Sequence, residues 1–313
     1  MRRVVSAMML AAALLLQSGG ARGNELDRIR SQALILLNQS RKEHNLPPLT
    51  LEAKLNHAAQ GHAGDMLKRN YFAHASPEGK TAGDRYRQAG GSRWRVTAEN
   101  IAKFTHKPAP VTDAFLKLLQ DSWMNSPEHR KNILLQGITE FGFGLAVDAG
   151  GNLYAVQNFA GPGADSVASG DVKPISRREQ AALALAAVNA ERKKAGRAAL
   201  KADDALNKGA AAMLPAKGSE PLDIARQNIL DRIPAAKGRS WTTLSVLSAM
   251  CGGCGTKTVR GDIGSFIGQW VGDAKYRALL LGTDATHLGF AISADGSGRK
   301  VAIAVLGNRH RTP

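Results

Sequence analysis

At 313 residues, 43% hydrophobic and 22% charged, the chain is too apolar to be disordered and long enough for two ordinary domains. Its formal charge of +16 points to anionic partners. Nucleic acid is not the expected one, because aromatics are only 5% and no Lys/Arg-rich run is interleaved with them as a stacking platform.

Residues 1–23 read as a secretory signal peptide: Arg2 and Arg3, an apolar run from Val4 to Leu16, then small residues. That run is shorter than the roughly 20 residues a membrane span needs, and no other segment approaches the length, so no transmembrane segment is expected after signal removal. Loss of Arg2, Arg3 and Arg22 would take the charge from +16 to about +13. An exported protein this basic is expected in the secreted or periplasmic space, against an anionic envelope surface.

Ile29, Ala33, Leu36 and Leu37 lie at helical spacing and predict an amphipathic helix over 26–44. LPPLTL leads into a second helix over about 50–69, residues 81–89 read as a short helix, and a helix over about 111–125 ends before Pro127. FGFGLAV and NLYAVQNFAG, around the turn Asp148–Gly151, predict a β-hairpin. The segments 177–195, 201–214 and LGFAISADGSGRKVAIAVLG repeat this order. Helices followed by a terminal hairpin predict an α+β fold, with helices covering a mostly antiparallel sheet. Cys251-Gly-Gly-Cys254 sits in a Gly-rich loop and reads as a small disulfide rather than a redox centre.

The repetition is also visible residue by residue. A shift of 147 superimposes Trp94 on Trp241, Trp123 on Trp270, Arg130 on Arg277, Gly142-Phe143 on Gly289-Phe290, and Asp84-Arg85, a pair placed to bridge, on Asp231-Arg232. Upstream a shift of 151 aligns Asn38, Arg41 and Leu55 with Asn189, Arg192 and Leu206. The four-residue difference falls between Asn56 and Met66 and is about one helical turn. The expected organisation is a domain over 24–162, a Gly/Pro/Ser/Asp-rich linker over 163–174 and a degenerate copy over 175–313.

What both copies keep is mostly scaffold: Trp, Gly, Leu and Phe. Three polar residues occur only in the first. His74 is replaced by Pro221, Glu99 by Val246 and His129 by Tyr276. Two histidines and a carboxylate suit a divalent metal, zinc above all, or an acid–base pair. His57 and His62 are five apart, do not share a helix face, and read as surface or packing residues. Ser76 in a Ser-Pro turn is a weak candidate nucleophile.

The first copy resembles the CAP superfamily of cysteine-rich secretory, antigen 5 and pathogenesis-related 1 proteins, most of all its bacterial secreted branch. The resemblance is carried by LLNQSRKEHNLPPLTLEAKL (36–55), HAGDMLKRNYFAHASPEGK (62–80), AENIA (98–102), SWMNSPEHRKNIL (122–134), TEFGFGLA (139–146) and YAVQNFAG (154–161). The second copy matches only through its frame with the first and THLGFA (286–291). The resemblance implies two tandem α-β-α sandwich domains, the first with an open cleft lined by His74, Glu99 and His129, often with a bound divalent metal. It departs from the family's two-His, two-Glu set at Ser126, which stands where a second glutamate is common; Glu128 and Glu140 are nearby in sequence. Asn100 and Ser126 are expected as hydrogen-bonding support. Two functions compete: binding of a lipid-like or envelope-derived ligand in the cleft, or hydrolysis of a peptide or envelope substrate using His74, Glu99 and His129. No nucleophile elbow and no H-E-x-x-H helix backs the second.

Overall fold

The computed structural model of the protein describes residues 25–106, 110–165, 173–216, 228–233 and 241–309. The candidate signal peptide, most of the candidate linker and Pro221, the counterpart of His74, lie outside them. The chain divides into two compact units, residues 1–93 with 97–161 and residues 94–96 with 162–313.

The first unit begins with helix α1 over 25–43, followed by a two-residue strand β1 (Thr50–Leu51), α2 (Ala53–Arg69) and α3 (Ala82–Gln88). Strand β2 (Val96–Phe104), α4 (Asp113–Asn125), α5 (Pro127–Ile133) and the hairpin β3 (Glu140–Val147) and β4 (Leu153–Gly161) complete it. The sheet order is β1-β3-β4-β2, so β2 is an edge strand. β3 and β4 pair antiparallel from Glu140↔Ala160 to Val147↔Leu153, and β1 pairs parallel with β3. Alternation along the strands divides the core. Ile101, Tyr154 and Val156 pack against Ala59, Ala63 and Met66 of α2. On the other face Phe143 meets Trp123 of α4 edge to face.

The second unit repeats this order with α6 (Arg177–Lys194), β5 (Lys201–Ala202), α7 (Asp204–Ala212), a 3-10 turn at Ile229–Asp231, β6 (Trp241–Cys251), α8 (Arg260–Gly272), α9 (Ala274–Leu281), β7 (His287–Ala294) and β8 (Lys300–Arg309). Its sheet order is β5-β7-β8-β6, the order of the first. The hairpin starts at His287↔Gly307, each residue 147 beyond its counterpart. One core cluster joins Phe290, Ile292 and Ala304 to α6 and α8, and a second joins Ala291, Ile303 and Val305 to α7. Each unit is thus an α-β-α sandwich.

Residues shared by the two copies make the same contacts. Arg41 is 1% exposed and donates to the carbonyls of Pro47 (2.8 Å), Ile133 (2.7 Å) and Leu135 (3.2 Å). Arg192 is 2% exposed and donates to Ala198 (2.7 Å), Leu280 (2.5 Å) and Gly282 (2.9 Å). Asn38 and Asn189 each bracket a leucine, Leu49 or Leu200, by its N–H and C=O. Buried backbone carbonyls need partners, and these side chains supply them across layers. Gly142 lets α2 touch β3: a Cβ there would lie 2.3 Å from the Leu55 carbonyl carbon, and Gly289 meets Leu206 at 2.2 Å.

Past β1, the outer edge of β3 is closed by side chains. Asn56 accepts from Phe143 N–H at 2.9 Å. Gln60 accepts from Leu145 N–H at 3.1 Å and donates to its C=O at 2.9 Å. Arg30 donates to the Phe143 carbonyl at 3.2 Å.

Three readings change. Residues 50–51 and 201–202 are strands rather than helix starts, and the chain after Pro127 returns to helix. Strands β2 and β6 are additional to the predicted elements. Cys251 and Cys254 are joined in a disulfide at the end of β6. Among the described residues no helix is long and apolar enough to cross a membrane.

Candidate functional site

The site is built on the edge strand β2, where consecutive residues face opposite layers. Glu99 points to the α2 side and Asn100 to the α4–α5 side. The Glu99 side chain is 3% exposed and both oxygens are engaged. Oε1 lies 3.0 Å from His74 Nδ1. Oε2 accepts from Arg85 Nη2 at 2.6 Å. With its nitrogen turned toward the carboxylate, the Asn158 amide also donates to Oε2, at 3.0 Å. Arg85 is anchored in turn on the carbonyls of His74 (3.0 Å) and Lys80 (2.8 Å).

A carboxylate accepts, so the Nδ1–H of His74 donates to Glu99. His74 is 60% exposed, on the loop after α2. His62 is the opposite case, 1% exposed on the inner face of α2. Its Nε2 donates to the Ala73 carbonyl at 3.0 Å and lies 4.0 Å from Glu99 Oε1. Burial pushes its pKa below the ordinary value and Arg85 adds to this, while Glu99 opposes it.

His129 comes from α5 on the other layer and is half-buried. Its pKa is lowered, first by burial and then by the proximity of His74. The two imidazoles therefore sense each other, and His129 favours its neutral form. Below them runs a buried polar chain. Asn100 donates to the His129 carbonyl (3.1 Å) and to Gln157 (3.1 Å), and Gln157 donates to Gln120 (2.9 Å). Asn132 ties α5 to the Glu99 carbonyl at 3.0 Å and to Asn100 at 2.9 Å.

Asn100 thus holds the backbone of His129, not its ring. Ser126 is the N-cap of α5 but makes no side-chain cap bond. The Ser76 hydroxyl donates to Glu78 at 3.0 Å, and Arg69 with Ser76 holds the Glu78 carboxyl down at about 2. Glu128 is exposed beside His129, whereas Glu140 begins β3, away from β2. Asp84 pairs with Arg87 and accepts from the N–H of Thr81, the α3 N-cap, so the expected Asp84–Arg85 bridge is replaced by Arg85–Glu99. Trp123 is buried, Trp94 is partly exposed, and Phe72 is about half exposed.

His62 and Arg85 are the members that spacing from His57 and the shared Asp-Arg pair concealed. The signal for His62 was its place seven residues after Leu55, on the face of Ala58, Ala59, Ala63 and Met66. Both also line a separate recess of about 360 Å³ with His57, Asp65, Arg69 and Glu78.

Among the described residues of the second unit, the positions of His62 and Glu99 are apolar. Leu206 and Gly289 meet as Leu55 and Gly142 do, and α7 runs unbroken to Ala212, so Met213 occupies the position of His62. Met213, Ile233 and Val246 join one hydrophobic cluster there.

Imidazole nitrogens are donors that suit a divalent metal, and Glu99 orients the His74 ring. Glu99 itself, with Arg85 and His74 on its oxygens, fits the orienting role better than a ligand's.

The family described as "CAP: Cysteine-rich secretory protein family" matches residues 34–159. The uncharacterized protein YkwD of Bacillus subtilis (strain 168) is 37% identical over 109 residues, 35% of this chain and 39% of that one. The uncharacterized membrane protein YlbC of the same organism is 33% identical over 129 residues, 41% of this chain. The chain therefore spans only 39% and 33% of the lengths of these curated relatives. Among solved structures, an extracellular SCP-domain protein of Bacillus anthracis str. Ames is 34% identical with a TM-score of 0.34, covering 42% of this chain and 40% of that one. The unit that carries His62, His74, Glu99 and His129 is a CAP domain of the cysteine-rich secretory protein family.

Proposed function

We propose that the first unit is an exported ligand-binding module. Its cleft at the β2 edge takes a lipid-like or envelope-derived ligand through His74 and His129, and the same imidazoles hold a divalent metal, zinc by donor type. The basic charge of the chain brings it to the anionic envelope surface, in the secreted or periplasmic space. The observation that carries this reading is the engagement of Glu99. Both its oxygens are taken, so the site offers two imidazoles and Glu99 is not free to act as a base. Ser76, the one candidate nucleophile, is bonded to Glu78 rather than to a histidine.

The test is zinc and fluorescent fatty-acid binding to the full chain and to His74→Ala and His129→Ala. Each variant is expected to lose at least tenfold in zinc affinity, with circular dichroism unchanged. Unchanged zinc and fatty-acid binding in both variants would sink the reading.

One observation favours hydrolysis as the second reading: His74, oriented by a buried carboxylate, has the form of a general base. Turnover of peptide or cell-wall substrates that disappears in His74→Ala would decide for it.

A further inference from the structure

The second unit lacks the His/Glu cluster but carries a recess of about 790 Å³ where β5 and β7 begin and β8 ends. Arg197, Lys201, His287 and Arg309 line it, and no Asp or Glu does among the described residues. Thr242, Thr286 and Asn308 add hydroxyl and amide groups to the wall.

The first unit is an internal control. The shared register places Leu46 where the second unit has Arg197, Thr50 for Lys201, Glu140 for His287 and Pro162 for Arg309. Three permanent cations and a histidine have therefore replaced neutral or acidic residues at one end of one sheet. Drift on a solvated surface has no reason to gather three permanent cations around one concavity, where they repel one another.

Two of these side chains, Arg309 and His287, are also held in place. The Arg309 guanidinium lies over the Trp241 ring, 5.0 Å from its centroid, and pairs with Asp203. The His287 ring meets Trp241 edge to face at 5.4 Å, and its Nδ1 lies 2.8 Å from the Thr286 hydroxyl. Stacking and pairing fix a guanidinium fork before any ligand arrives, which lowers the ordering cost of binding.

From this concentration of cations and hydroxyls around a fixed guanidinium we infer that the recess is a binding site for a multiply charged, phosphate-bearing anion. Guanidinium forks and hydroxyl donors suit the tetrahedral oxygens of a phosphoryl group, and several cations in one recess match more than one charge. The site belongs to the second unit alone and stands or falls independently of the His74 cleft.

His287 supplies a second readout. Its pKa is lowered, first by burial, then by Arg309, with Lys201 adding to this and Asp203 opposing it. An anion among these cations would reverse their effect, so binding should take up a proton and tighten as the pH falls through the ordinary histidine value of about 6.5.

The experiment is calorimetric titration of the full chain with inorganic tripolyphosphate, and co-sedimentation with phosphatidylglycerol against phosphatidylcholine vesicles. Arg197→Leu and Lys201→Thr restore the first unit's residues at exposed positions and should fold. Each is expected to weaken binding about tenfold, and His287→Gln should flatten the pH dependence. Tripolyphosphate binding alone assigns the site to soluble phosphates, and selective phosphatidylglycerol binding alone assigns it to lipid headgroups. Either supports the inference when the Arg197 and Lys201 variants reduce it. Absence of both, or binding that neither variant changes, overturns it.

Discussion

Glu99 is a charged group almost without water, and its neighbours decide what it can do. Arg85 compensates the charge, Asn158 adds a donor, and His74 takes the remaining oxygen. A buried charge that loses its partner costs far more than an exposed pair contributes. Arg85→Met should therefore destabilise the first unit by about 3–5 kcal/mol, measured by urea unfolding. His74→Ala, at an exposed position, should cost less than about 1 kcal/mol in the same assay. Equal losses in the two variants would mean that Glu99 is not held as described. At this scale the comparison of the two copies found the three residues that the second lacks. It missed Arg85 because the second copy keeps it, as Arg232, and a retained residue looks like scaffold. It missed His62 because its replacement, Met213, lies in the other reading frame.

The helices carry that frame. α2 runs from Ala53 to Arg69 and α7 from Asp204 to Ala212, and both start against a glycine of the hairpin. A methyl group at Gly142 would meet backbone, which cannot swing aside as a side-chain tip can. Gly142→Ala and Gly289→Ala should each lower stability by at least about 1–3 kcal/mol in thermal unfolding; no loss in either would show that the helix stands off the sheet. The hairpins and α1, α3 and α6 were legible because their periods are clean. β2 was not, since the polar residues of the candidate site, Glu99 and Asn100, interrupt its apolar alternation. β1 and β5 are two residues long and carry no period at all.

Beyond the buried arginine the two units share, Arg41 or Arg192, each buries charge in a different place. The first buries Glu99 against Arg85 at the β2 edge. The second buries Lys300 completely, 2.9 Å from both oxygens of Asp262, where the first has Leu153 and Phe115. The first unit shows the consequence for pH twice over. His62 and His129 both have lowered pKa values, for which burial is the leading cause. The unfolded chain takes up protons near pH 6.5 that the folded one refuses. Stability from these residues is thus complete above about pH 6.5 and falls as the pH drops toward the depressed values. The unfolding temperature should decline between pH 7.5 and 5.5, and His62→Gln should reduce the slope; an identical slope would clear His62 of the effect.

The side chains of α1 and α2 that close the outer edge of β3 have one more effect, on how the protein behaves at high concentration. Unpaired N–H and C=O groups on an edge strand are a template for another chain. Because β1 covers only the first residues of β3, the backbone at Phe143 and Leu145 would be open without Asn56, Gln60 and Arg30. The second unit uses Asn207, Gln180 and Arg177 in the same way, on the backbone of Phe290 and Ile292. Gln60→Ala should therefore raise concentration-dependent association in light scattering more than it lowers the unfolding temperature, because what the glutamine chiefly prevents is recruitment of a second copy.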